Sequence, residues 1–77
     1  MSQRNAHKLE LREIGLRIRS LRGDIRQEDF AAQLGVSQGQ LSKIEGGRVA
    51  PTLEILLAVA TKFGKSLDWI VKGDVSL

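Results

Sequence analysis

Along the 77-residue chain, apolar positions recur three and four residues apart and never alternate, the spacing that lines one face of a helix. Five stretches carry it. The first, near residues 10–22, sets Leu11, Ile14, Ile18 and Leu21 on one side. The second, 27–34, offers Phe30, Ala31 and Leu34, and the third, 38–45, offers Leu41 and Ile44. The fourth, 53–63, carries Leu53, Leu56, Leu57, Ala60 and Phe63 as its inward stripe, and the fifth, 67–72, carries Leu67, Ile70 and Val71. β-branched residues nowhere cluster into a strand run. Gly23, Gly35, Gly46-Gly47, Gly64 and Gly73 each follow one stretch, as left-handed helix stops do. Ser37, Thr52 and Ser66 stand where a side-chain oxygen accepts the first free amides of a helix. Gln40, three residues after Ser37, completes a capping-box pattern. The expectation is an all-α, compact, five-helix domain over 10–73. Residues 1–9 would form a tail or an extension of the first helix, and 74–77 a C-terminal tail.

Composition narrows the chemistry. There is no cysteine, and His7 is the only histidine, so no thiolate or histidine cluster is available for a metal and no histidine triad can form. No metal or cofactor is expected. Asp24, Glu28 and Asp29 gather near the second helix start, where acidic residues are favoured electrostatically in any protein, and no nucleophile–base pair accompanies them. An enzyme is not expected. The longest apolar run, Ile55 to Ala60, is far too short to span a membrane, and Met1 to Asn5 lack the apolar core of a secretory signal. A cytoplasmic protein with no membrane partner follows as the expectation.

Twelve basic residues face nine acidic ones, a net charge of +3. The distribution says more than the total. Residues 1–26 hold seven basic groups and three acidic ones, a local balance of +4, whereas the rest of the chain is close to neutral. A basic N-terminal third suits a polyanion; it is also what a solvated helix face looks like.

The segment from Gln27 to Glu45 carries the sharpest pattern. Two helices joined through a three- or four-residue turn need a small residue where their axes approach, and Ala31 stands there. The turn needs one residue of positive φ, supplied by Gly35. Apolar groups must fill the wedge between the helices, and Phe30, Leu34, Val36, Leu41 and Ile44 occupy those places. This is a helix-turn-helix pattern.

On these residues the chain resembles the Cro and phage-repressor family of DNA-binding regulators, the lambda-repressor-like domain. The resemblance covers about 10–73. It includes Ile14-Gly15-Leu16-Arg17-Ile18-Arg19, Ile44-Glu45-Gly46-Gly47-Arg48 with Pro51-Thr52, and Ser66-Leu67-Asp68-Trp69-Ile70. The connection Arg22 to Gln27 is about two residues shorter than in many relatives.

The resemblance implies a sequence-specific double-stranded DNA-binding transcriptional regulator, repressor-like, with helix Gln38–Glu45 in the major groove. Leu41 and Ile44 then face inward and leave Gln38, Gly39, Ser42 and Lys43 as candidates for base contact. Gln38 can make two hydrogen bonds to adenine. Lys43 can donate to guanine or to a phosphate. Gly39 either permits close approach or is a tolerated weakness of the helix, and Gln40 either reads a base or turns back to Ser37. Phosphate candidates are Gln27, which in relatives also braces the first glutamine of the recognition helix, with Arg26, Arg48, Arg17 and Thr52. Arg22 and Glu45 are implied to form a structural ion pair beneath the recognition helix. One such helix spans few base pairs, so a homodimer on a near-palindromic operator is expected, with Val49, Trp69, Ile70, Val75 and Leu77 at its interface. A controller protein or an antitoxin of the same fold, with a toxin or antagonist as protein partner, remains open. So does an interaction module working through the last two helices.

Overall fold

The computed structural model describes residues 10–73. It contains α1 (Leu11–Arg22), α2 (Gln27–Leu34), α3 (Gln38–Glu45), α4 (Leu53–Phe63) and α5 (Leu67–Lys72), with no strand among the described residues. None of these helices is long and apolar enough to cross a membrane.

Every helix contributes to one core. Ile14 and Ile18 of α1 meet Phe30 and Ala31 of α2, Leu41 and Ile44 of α3, Ile55 and Val59 of α4, and Ile70 of α5. All of these are nearly or fully buried. Phe30 packs edge-to-face on Phe63, with ring centroids 5.8 Å apart, and so joins α2 to α4. α1 lies against both α3 and α5, which places the third helix on one flank of the first and the fifth on another.

The helix ends are held by the expected residues, with two differences. Ser37, Thr52 and Ser66 accept from the backbone N–H groups of Gln40, Ile55 and Trp69 at 3.0, 3.2 and 3.0 Å. The capping box at Ser37 is only half built, because the Gln40 side chain makes no return hydrogen bond and stays exposed. Gly35 adopts φ 76°, with Val36 N–H donating to Ala31 O at 3.0 Å and Gly35 N–H to Ala32 O at 3.1 Å. This crossed pair is a Schellman stop, which needs a residue free to enter the left-handed region. The stop after α3 has the same two bonds, but centred on Gly47. Gly46, expected to share that role, keeps a right-handed φ of −83°.

α4 departs further from expectation. Its inward face is Ile55, Val59 and Ala60, with Leu56 and Phe63 partly buried beside it, whereas Leu53 and Leu57 are 64% and 47% exposed. Six consecutive apolar residues leave the rotational phase of a helix undetermined by periodicity. The contacts with Phe30 and α5 settle it.

Candidate nucleic-acid interface

α3 has an inner and an outer side. Leu41, Ile44 and Glu45 face inward and are buried; Gln38, Gly39, Gln40 and Lys43 are exposed, and Ser42 is partly so. Glu45 is the one buried charged residue among those described. Its Oε2 accepts from Arg22 Nε at 2.7 Å and its Oε1 from Arg22 Nη2 at 2.9 Å, a bidentate pair linking the ends of α1 and α3. Arg22 Nη1 also donates to Ile25 O at 2.9 Å, which pins the short connection between α1 and α2. Glu45 Oε1 takes a further bond from Gln27 Nε2 at 3.0 Å, and Gln27 Oε1 accepts from Gln38 Nε2 at 3.3 Å. A continuous set of hydrogen bonds thus runs from beneath α3 to the first side chain on its outer face. The hydrogen bonds that Arg22 donates to Glu45 raise its pKa, and burial pulls it partly back. Because the folded value lies above the unfolded one, this contribution is intact below the ordinary arginine range and fades only above it. The guanidinium is therefore charged throughout neutral and mildly alkaline pH.

Two glycines let α3 reach this position. A Cβ on Gly15 would stand 2.5 Å from both Ile44 O and Glu45 O, so the α1 backbone touches the last turn of α3 directly. A Cβ on Gly47 would stand 2.6 Å from Arg12 Cα. Ala31, the small residue expected where α2 and α3 approach, is buried in the core; the second close approach, of α1 to α3 at Gly15, was not expected from the sequence. Its signal was a lone glycine on the apolar side of an otherwise regular amphipathic helix.

Beside α3 lies an open hollow of about 530 Å³, lined by Arg19, Gln27, Ser42, Gly46 and Arg48 together with the Arg22–Glu45 pair. Arg19 and Arg48 are exposed and without an ion-pair partner among the described residues. The structure thus gathers Gln27, Ser42 and Arg48 at one place, along with Arg19, an unpaired arginine of the basic stretch. Thr52 caps α4 with its hydroxyl oxygen and remains exposed. Arg26 is also exposed; its Nε donates to Asp29 Oδ2 at 3.0 Å, with Glu28 at 4.0 Å from Nη1.

Two expected site residues fall elsewhere. Arg17, expected at a phosphate, is largely buried against α5, where its Nη1 donates to Ile70 O at 2.9 Å and Val71 O at 3.2 Å, and its Nη2 to Glu13 at 3.2 Å. It caps the carbonyls of the last helix instead. Ile70, expected at a dimer contact, has no exposed surface and belongs to the core. Of the other interface candidates, Val49 and Trp69 are half-buried, with Lys65 Nζ 4.7 Å over the indole. Val75 and Leu77 lie outside the described residues.

The fold and this site define a helix-turn-helix protein that presents α3 outward on a buried hydrogen-bonded base. The helix-turn-helix family model matches residues 16–70, so the chain belongs to that family, in its Cro and C1 repressor branch. It is a DNA-binding transcriptional regulator rather than an enzyme. Among solved structures it is similar to the P22 c2 repressor in complex with a synthetic operator, at 36% identity and a TM-score of 0.72 over 79% of this chain and 96% of that one. It is similar as well to the restriction-modification controller protein C.AhdI from Aeromonas hydrophila, at 25% identity and a TM-score of 0.68 over 79% and 91% of the two chains. The clp gene regulator ClgR from C. glutamicum shares 30% identity, with a TM-score of 0.68 over 83% and 86%. No curated protein matches the chain.

Proposed function

We propose that the chain is a repressor-like reader of double-stranded DNA that lays α3 in the major groove of an operator. The observation that carries this reading is the relay from Arg22 through Glu45 and Gln27 to Gln38. Gln38 donates to Gln27, which is itself held by the buried Glu45, and an amide braced in this way is oriented as hydrogen bonding to an adenine edge requires. Gln40, Ser42 and Lys43 flank it on the outer side. Gln40 is exposed, its side chain free of Ser37, and it lies on the other flank of the helix from Gln38. Gln27, Arg48 and Thr52 would contact phosphates around the helix, fixing its register without reading sequence. Arg26 joins them by exchanging an exposed ion pair, worth ~1 kcal/mol or less, for a phosphate.

Two copies act together, with their α3 helices ~34 Å apart on a near-palindromic site. Val49 and Trp69 remain the described candidates for that contact. Leu53 and Leu57, the exposed leucines of α4, join them because they are large apolar groups one turn apart with nothing packed over them. Such a regulator works in the cytoplasm on the nucleoid, and an antagonist protein would be its other partner. Selection of binding sites from random duplexes tests the reading: a defined inverted repeat should emerge. Gln38→Ala should then relax the preference at one position per half-site by ~1–3 kcal/mol while the remaining positions keep theirs. Selection of no sequence, with no salt-sensitive affinity for any duplex, would refute it.

A further inference from the structure

Gly39 is the one described glycine that the protein itself does not need. Gly23, Gly35, Gly47, Gly64 and Gly73 have positive φ, a Cβ on Gly15 would strike backbone carbonyls, and one on Gly46 would crowd Ser42 O at 3.2 Å. At Gly39 the backbone is helical, and a Cβ would meet nothing nearer than Ser37 Oγ at 4.0 Å. Alanine would fit there and favour the helix, so the missing side chain weakens α3 for no internal return. Its place on the helix is specific. Successive residues advance about 100° around the axis, and the buried set Leu41, Ile44 and Glu45 centres almost opposite Gly39. The point of α3 that reaches farthest from the core is therefore bare. Next to it on the same side stands Ser42, whose short side chain touches a partner only if the helix backbone comes close.

We infer that Gly39 is a specificity-determining residue that acts through the absence of a side chain. The bare apex lets the α3 backbone settle against the base edges, within reach of Ser42 and of the braced Gln38 amide. This rests on the proposed reading of duplex DNA and adds to it how deep the helix docks. Phosphate contacts lie to the sides of the apex, so a side chain at position 39 interferes with base reading and leaves general DNA affinity in place.

The test compares the 77-residue wild-type chain with Gly39→Ala and Gly39→Leu, using the operator that the wild type selects from random duplexes and an unrelated duplex of equal length. Both variants should melt higher than wild type, by about 4 °C for alanine, since the position gains helix propensity without a clash. Affinity for the selected operator should fall by about tenfold for alanine and further for leucine. Affinity for the unrelated duplex, and the slope of log K against log salt, should stay unchanged. Variants that melt higher and bind the operator as the wild type does overturn the inference and leave the DNA reading standing. An equal loss on both duplexes also overturns it, because the side chain would then be blocking phosphate contact. A wild-type chain that selects no operator overturns the inference together with the reading on which it rests.

Discussion

The two sides of α3 obey different rules. On the inner side Leu41, Ile44 and Glu45 are buried, the Glu45 carboxylate is bonded by Arg22 and Gln27, and Gly15 admits the α1 backbone to contact distance. On the outer side, Gln38 alone has a side-chain bond within the protein, a long one at 3.3 Å. Interactions over-determine the position of the inner side and leave the outer side chemically uncommitted. In a protein, groups left uncommitted on a rigid frame are the ones available to a partner.

The contrast can be broken most severely from within. Glu45→Ala removes the acceptor for two partners and leaves a largely buried guanidinium unpaired. It should cost ~3–5 kcal/mol in urea unfolding and, where folding persists, broaden base preference at the Gln38 position. Gly15→Ala forces a methyl against two carbonyl oxygens, and overpacking of this kind costs ~1–3 kcal/mol by the same measurement. Ser37→Ala, at the junction of the two sides, should lose ~1 kcal/mol, the worth of an N-cap. Gln38→Ala, on the outer side, should leave stability within ~0.5 kcal/mol of wild type while shifting base choice as proposed. A Gln38→Ala loss comparable to that of Glu45→Ala would show that the outer side is structural after all.

Legibility in the sequence follows the same division. Features set by local chemistry were readable: the Gly35 stop, the serine and threonine caps, and the Phe30, Leu41 and Ile44 wedge all sit where short-range rules place them. The Arg22–Glu45 pair was readable only through family resemblance, since the two residues are far apart in the chain. Where several long-range contacts compete, reading failed. Leu53 and Leu57 fit a helical stripe as well as Ile55 and Val59 do, and only packing on Phe30 and α5 selects between them. Arg17 looked like any exposed arginine of a basic helix because the carbonyls it caps belong to α5, over fifty residues on. Of the Gly46-Gly47 pair expected to stop α3, only Gly47 entered the left-handed region, and it sits against Arg12, a contact distant in the chain. Base contacts leave no trace in a free protein beyond exposure and orientation, so the structure shows the candidate residues on the outer side of α3 and leaves their roles to the binding experiment.

The paired glycines at the α1–α3 junction have one more consequence. Gly15 and Gly47 let the end of α3 close against α1, at the carbonyls of Ile44 and Glu45 and at Arg12, with no side chain from the outer face taking part. The residues at 38, 39, 40, 42 and 43 can therefore be exchanged as a set without loosening that junction. Address and frame are written in separate letters of the same eight-residue helix. If α3 reads the operator as proposed, a new preference is reachable through a few surface substitutions that leave this junction in place.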